Sequence, residues 1–306
     1  MNDYLLLILG VACAGAGGEL FVRGSVGMAH WARISPGIIG ATVAAFATSS
    51  PELSVAVTSS MAGRPRISLG DALGSNVVNV ALILAVALLI SGIQGSRGSV
   101  KRDFPVALAV PLLMGALMWD GMLSRLDGCI MLVVFGAWLA LAVVEAKRQR
   151  SAAERVLGAR HCWAAVLSGL AGLLLLFAAG KFIVGGATGI ATAFGIDTFV
   201  IGATVVALGT SVPELATAVI SKFRGHDEVG LGTILGSNIF NGLFVVPVAA
   251  IIHPIRVVWS EVSVALFFGV VAVVLCYPPK SGFIGRGRGM LLLALYAGYV
   301  LLILRR

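Results

Sequence analysis

Hydrophobic positions along this chain fall in long unbroken runs, with neither strand alternation nor the narrow stripe of a soluble helix. Val106–Trp119, Leu126–Val144, Leu167–Ala179, Val262–Tyr277 and Met290–Leu304 carry almost no polar residue. Such runs approach the roughly 20 apolar residues that cross a hydrocarbon core. We place spans at about 4–29, 37–62, 67–91, 105–119, 126–146, 162–193, 198–221, 229–252, 258–278 and 288–304. Only short connections remain, so no separate soluble domain is expected. The pattern predicts an all-α membrane protein of about ten transmembrane helices.

The polar positions interrupting these runs occur twice. Gly40-Ala41-Thr42-Val43 returns as Gly202-Ala203-Thr204-Val205, and Thr48-Ser49-Ser50-Pro51-Glu52-Leu53 as Thr210-Ser211-Val212-Pro213-Glu214-Leu215. Gly74-Ser75-Asn76-Val77-Val78-Asn79 returns as Gly236-Ser237-Asn238-Ile239-Phe240-Asn241. All three share the offset 162, and 22 of 48 aligned pairs between Pro36–Ile83 and Thr198–Val245 are identical, which chance does not produce. We divide the chain into a first five-helix repeat at 1–150 and a second at 151–306. Five is odd, so the second copy enters the membrane from the opposite side. Two inverted repeats are an architecture of secondary transporters, with the site near midplane between the halves.

Composition agrees with a membrane protein: 58% of the 306 residues are hydrophobic and 12% charged, about half the charged fraction of a soluble domain. The formal charge of +8 does not point to nucleic acid, because the basic residues sit in short loops. With both termini extracytoplasmic, inward loops hold 14 Lys and Arg and outward segments 6. That excess places the loop at 147–160 in the cytoplasm of a multi-pass protein of the cell (inner) membrane. Beyond the bilayer and inorganic cations no partner is indicated. Cys13, Cys129, Cys162 and Cys276 lie singly in apolar segments without metal or disulfide spacing. Ala12-Cys13-Ala14 mimics a cleavage site, but no Lys or Arg precedes it, so no cleaved signal is expected.

Chemistry concentrates in the repeated motifs. Glu52 and Glu214 fall midway along their spans, where an ionisable group is costly and marks a functional site unless it is protonated or locally paired. Thr48 lies four residues before Glu52, on the same helical face. Pro51 and Pro213 cannot donate to the carbonyls of Ala47 and Gly209, which predicts a helix break with free backbone oxygens beside each glutamate. Gly74-Ser75 with Asn79, and Gly236-Ser237 with Asn241, add neutral oxygens on one face; alone they would read equally well as a polar packing stripe. Together the motifs form an all-oxygen site suited to hard cations such as Ca²⁺ and Na⁺, unlike Zn²⁺ or copper sites.

These residues resemble the two alpha repeats of the calcium/cation antiporter superfamily, in particular bacterial and archaeal sodium/calcium exchangers. The resemblance covers the chain in length and topology. It implies a divalent site formed by Glu52 and Glu214 with the carbonyls of Thr48 and Thr210. Flanking sodium sites would come from Ser49, Ser75, Ser211 and Ser237 with the carbonyls of Ala45 and Ala207, while Asn79 and Asn241 face the centre. Ca²⁺ and Na⁺ are then transported substrates, and no cofactor is implied. Two departures stand out: Ala47 replaces the glycine expected before Thr48, and Asn241 stands where potassium-dependent relatives carry Asp. The second weakens a case for potassium cotransport.

Sodium-driven calcium exchange is the leading expectation. Proton/calcium exchange is the nearest rival, since a buried glutamate can release a proton instead; exchange of Mg²⁺ or K⁺ follows. A channel would share the oxygen lining but usually surrounds its filter with several subunits. An enzyme would need a nucleophile or metal cluster that the sequence does not display. One further expectation rests on the offset alone. Glu19 corresponds to Lys181, and if their helices pack at the pseudo-two-fold axis the two would pair; otherwise Glu19 would pair with Arg23 one turn later and Lys181 would snorkel.

Overall fold

The computed structural model describes residues 3–153, 162–193 and 207–304. Helices dominate. In chain order they are α1 (Asp3–Ala32), α2 (Pro36–Thr48), α3 (Ser50–Met61), α4 (Pro65–Ile90), α5 (Phe104–Leu117), α6 (Arg125–Ala153) and α7 (Cys162–Ala193). α8 (Ala207–Thr210), α9 (Val212–Phe223), α10 (Asp227–Ile252), α11 (Trp259–Cys276) and α12 (Arg286–Leu304) follow. Among the described residues seven helices are long and apolar enough to cross a membrane, or eight with α2 and α3 taken as one bent span. The expected span at 198–221 is described only from 207 onward, and the Gly202–Val205 motif lies outside the described residues.

Burial separates a centre from a rim. In the apolar stretch of α4 67% of residues are buried and in that of α10 83%, against 17% for α6 and 11% for α12. The two central helices are equivalents, since Pro65–Ile90 and Asp227–Ile252 stand 162 apart at both ends. Around them Ile83, Leu84, Leu88, Phe104, Met114, Leu231, Ile234 and Leu235 form the core. Rim helices turn Leu126, Val133, Leu141, Met290 and Leu301 outward, as a protein solvated by lipid does.

Two short antiparallel ribbons tie the halves together. β1 (Ile93–Gln94) pairs with β4 (Phe283–Ile284), and β2 (Met122–Leu123) with β3 (Ile255–Arg256). β1 and β3 again stand 162 apart, and each pairs with a strand of the other half. Beside β1, the segment leading into α5 is anchored to α6 by a buried charge set. Arg102 Nε donates to Asp103 Oδ1 at 2.7 Å and Nη1 to Glu145 Oε2 at 2.7 Å, while Trp138 Nε1 donates to Asp103 Oδ1 at 3.1 Å. Every charge there has a partner, the condition under which buried ions are tolerated.

α1 and α7 pack along their length through small residues, as apolar helices do where lipid offers no solvophobic drive. A Cβ at Gly24 would stand 2.4 Å from Gly169 N, and one at Gly172 2.4 Å from Phe21 N. The register is antiparallel: Gly10 meets Ala179 and Ile183, and Gly24 meets Ala165 and Gly169. That register overturns the expected Glu19–Lys181 pair. Glu19 lies opposite the Gly172 region and Lys181 opposite Gly10, on either side of the crossing point. Glu19 instead accepts from Arg23 Nε at 2.5 Å and from Arg224 Nε, at the end of α9, at 2.6 Å. Lys181 is exposed and borders a cavity of about 630 Å³ with Pro51, Thr210 and Pro213.

The α1–α7 seam leaves no room for a methyl group. Gly172→Ala should lower stability by about 1–3 kcal/mol, visible as a reduced melting temperature of the detergent-purified protein, whereas alanine at Gly136, which has open space around its Cβ position, should not.

Candidate functional site

The site grows from helices that do not run straight. α2 ends at Thr48 and α3 begins at Ser50, the two bent by 43°. Ser49 between them has φ −87° and ψ 12°, and its equivalent Ser211, between α8 and α9, has φ −89° and ψ 8°. Pro51 and Pro213 follow at the first turns of α3 and α9, where the missing N–H is harmless. The break expected from the prolines is therefore present on both sides. The Ser49 N–H bonds Ala45 O at 3.0 Å. Ala45 O also accepts from Thr48 Oγ1 at 3.3 Å.

α4 and α10 supply the other wall. Each contains a π-helical stretch, Val78–Leu84 in α4 and Asn241–Val245 in α10. In the second, the Val246 N–H reaches back to Asn241 O. Such turns shift the helix face by a residue and recur at functional sites. The pair starts at or beside Asn79 and Asn241, the two asparagines expected to face the centre.

Across the repeats the expected residues converge. Ser49 Oγ donates to Glu214 Oε1 at 3.4 Å, and Ser237 Oγ donates to the same oxygen at 3.3 Å. Thr48 Oγ1 and Ser237 Oγ are 3.4 Å apart. Thus a glutamate from the second half is held by serines from both. Glu52, Glu214, Ser49, Ser75, Ser211, Ser237, Thr48, Asn79, Asn241 and Ala45 are all buried; Thr210 is partly exposed, and Ala207 opens α8. The arrangement is not symmetric in detail. Among the described residues Glu52 Oε2, Glu214 Oε2, Ser211 Oγ, Asn79 Oδ1 and Asn241 Oδ1 have no hydrogen-bond partner. Buried oxygens in that condition are costly, and carboxylate, hydroxyl and amide oxygens are the ligand types that a hard cation takes.

The sequence reading missed one element. Asn76 Nδ2 donates to Asn238 O at 3.2 Å, and Asn238 Nδ2 donates to Asn76 O at 3.0 Å, a reciprocal pair across the offset of 162. Asn79 Nδ2 adds a bond to Asn238 Oδ1 at 3.0 Å. The clue was present, because both asparagines belong to the repeated Gly-Ser-Asn motif. A residue and its own copy meet only near a two-fold axis, so these bonds mark where the halves join.

Comparison with known proteins gives this geometry a family. The family described as sodium/calcium exchanger protein matches the chain twice, over residues 3–144 and again over 164–305. The chain belongs to the sodium/calcium exchanger family. It is similar to CaxA of Alkalimonas amylolytica, 37% identical over 243 residues, covering 77% of this chain and 76% of that protein. The sodium/calcium exchanger MaX1 of Methanosarcina acetivorans is 25% identical, with 98% of each chain covered. In three dimensions the chain is similar to a sodium/calcium exchanger from Methanococcus jannaschii, with a TM-score of 0.83, 28% identity and 97% of each chain covered. The exchanger family comprises membrane transporters of inorganic cations, and this chain is a multi-pass membrane protein of that kind.

In this exchanger fold the Asn76–Asn238 junction should carry unequal weight on its two sides. Asn238→Ala removes two bonds and strands Asn79 Nδ2, whereas Asn76→Ala removes one. Each lost buried bond costs about 1–3 kcal/mol. Thermal melts should therefore rank the wild type above Asn76→Ala and Asn76→Ala above Asn238→Ala; the reverse order would show that the junction is not the seam described.

Proposed function

We propose that the chain is a secondary active antiporter exchanging Ca²⁺ for Na⁺ across the cell membrane by alternating access. The observation that carries this reading is the buried, all-oxygen junction where Ser49 and Ser237, from different repeats, both bond Glu214 while Glu52 Oε2 stays unpartnered beside them. Glu52 and Glu214, with the carbonyls of Thr48 and Thr210, form the divalent site. Ser49, Ser75, Ser211 and Ser237, with the carbonyls of Ala45 and Ala207, form the flanking sodium sites, and Asn79 and Asn241 line the centre. Two negative charges match one Ca²⁺, and the surrounding hydroxyls supply extra ligands that sodium uses and a proton does not.

Architecturally we read ten transmembrane helices as two inverted five-helix repeats, 1–150 and 151–306. The double family match and the two equivalent ribbons, each joining one half to the other, support this. We place both termini outside and the 147–160 loop in the cytoplasm, from the distribution of Lys and Arg. Proton/calcium exchange is the alternative that the same carboxylates would serve.

Calcium uptake into proteoliposomes, driven in turn by a sodium gradient and a proton gradient, separates the two. Sodium-driven uptake is the expected outcome; uptake driven by protons alone would replace Na⁺ with H⁺, and uptake uncoupled from either gradient would indicate a channel. Glu52→Gln or Glu214→Gln removes a charge no neighbour replaces, and should slow exchange by about 30-fold or more in protein that remains folded and inserted. Normal exchange by folded Glu52→Gln would defeat the proposed site. Ser75→Ala and Ser237→Ala should raise the sodium needed for half-maximal exchange by about three- to tenfold, the value of one hydrogen-bond-class ligand. An equal rise in the calcium requirement would assign these serines to packing.

A further inference from the structure

The site described above uses two carboxylates, yet α4 carries a third. Asp71 lies four residues before Ser75 and eight before Asn79, so all three fall on one face of the helix. One turn, about 5.4 Å of rise, separates Asp71 from Ser75 in the direction of the Pro65 end. α4 packs here against α3, which carries Glu52, and against the short helix ending at Thr210. Asp71 and Glu52 thus lie on two helices in direct contact.

Asp71 is unusual in having no counter-charge. It is partly buried, and no hydrogen bond or ion pair to it occurs among the described residues. Arg66, one turn and a residue earlier, is committed to Glu261 of α11. The equivalent position in the second half is Thr233, whose hydroxyl bonds its own helix at Val229 O, 2.9 Å away. The carboxylate is therefore a feature of one half only. Nor does it join the coordination shell of the other two: among the described residues no three His, Cys, Asp or Glu side chains converge closely enough to hold one ion. A carboxylate in this position, unpaired among the described residues, one turn short of buried Ser75 and on a helix packed against that of Glu52, acts on what passes it.

We infer that Asp71 is a separate cation-binding residue on the approach to the site from the face carrying the 62–65 turn, where it concentrates divalent cations and hands them to Glu52. The identity of the cargo rests on the exchange reading; the presence of a second, weaker divalent site does not. Its effect is one-sided, because only one half has the carboxylate.

Two measurements test it. In membrane vesicles of known orientation, Asp71→Asn should raise the Ca²⁺ needed for half-maximal exchange roughly tenfold when Ca²⁺ is varied on the 62–65 face, and leave it unchanged when varied on the other. Asp71→Glu should stay near wild type. An equal shift on both faces, or none, overturns the inference. In the purified Glu52→Gln/Glu214→Gln protein, Mn²⁺ titration followed by electron paramagnetic resonance should show a residual weak site that adding Asp71→Asn abolishes. A residual site that survives Asp71→Asn, or no residual site at all, overturns it equally. The Mn²⁺ measurement needs no transport, so it stands even if sodium proves not to be the counter-ion.

Discussion

A carboxylate at the depth of a bilayer has to be neutralised, and among the described residues neither glutamate at the centre of this protein is paired with a basic side chain. Among the described residues all the ion pairs lie elsewhere: Arg102 with Asp103 and Glu145, Lys222 with Asp227, Arg66 with Glu261, and Arg23 and Arg224 with Glu19. Much of the rest of the fold answers this single constraint. Hydroxyls from Ser49 and Ser237 turn toward Glu214 because only donors stabilise an anion that lacks a counter-charge. The helices break at Ser49 and Ser211 because a continuous ladder would keep backbone oxygens from the same space. Most of what these groups leave unsatisfied is oxygen, Asn241 Nδ2 being the exception, and oxygen ligands are what a hard cation takes.

Duplication makes such a centre affordable in sequence. A single repeat would bring one glutamate, one break and one Gly-Ser-Asn motif to the middle of a membrane, too few oxygens to replace an ion's hydration shell. Two copies joined at Asn76 and Asn238 double the set at a stroke, and the reciprocal amide bonds hold the copies where their motifs interleave. The same logic acts at the periphery. Helices α4 and α10 are the most buried because they are equivalents flanking the join, and the strands β1 and β3 each find a partner in the opposite half.

The residues of the candidate site were legible because each appears twice with the same spacing, and the spans because apolar runs of this length have few other uses. The π-helical stretches at Val78–Leu84 and Asn241–Val245 were not, since an i to i+5 turn leaves no compositional mark. Asn76 and Asn238 were visible as identities but not as a contact, because their meeting depends on the axis and not on either helix. The Glu19–Lys181 expectation failed for a related reason. Equivalence under a repeat places two residues face to face only at the crossing point of their helices, and the glycines set that point between Gly10 and Gly24, short of Glu19. Glu19 then found Arg224, a residue whose equivalent in the first half, Ala62, has no charge to offer.

Near-identical motifs nonetheless stand in different states. Glu214 accepts from Ser49 and Ser237 through Oε1, while Ser211, the equivalent of Ser49, leaves its hydroxyl unpartnered; each glutamate keeps one oxygen without a partner. Sequence cannot account for that difference, since Thr-Ser-x-Pro-Glu and Gly-Ser-Asn are common to both halves. Two-fold pseudo-symmetry relates this centre to a second arrangement, in which Glu52 would be the glutamate bonded by two serines. For the exchange proposed, those two arrangements are what alternating access requires: each half in turn closes over the ion while the other gives way. The residues the halves do not share set the two apart, and Asp71 opposite Thr233 and Lys222 opposite Ser60 are the charged differences closest in sequence to the motifs. Through them a protein built from one sequence written twice distinguishes its two faces.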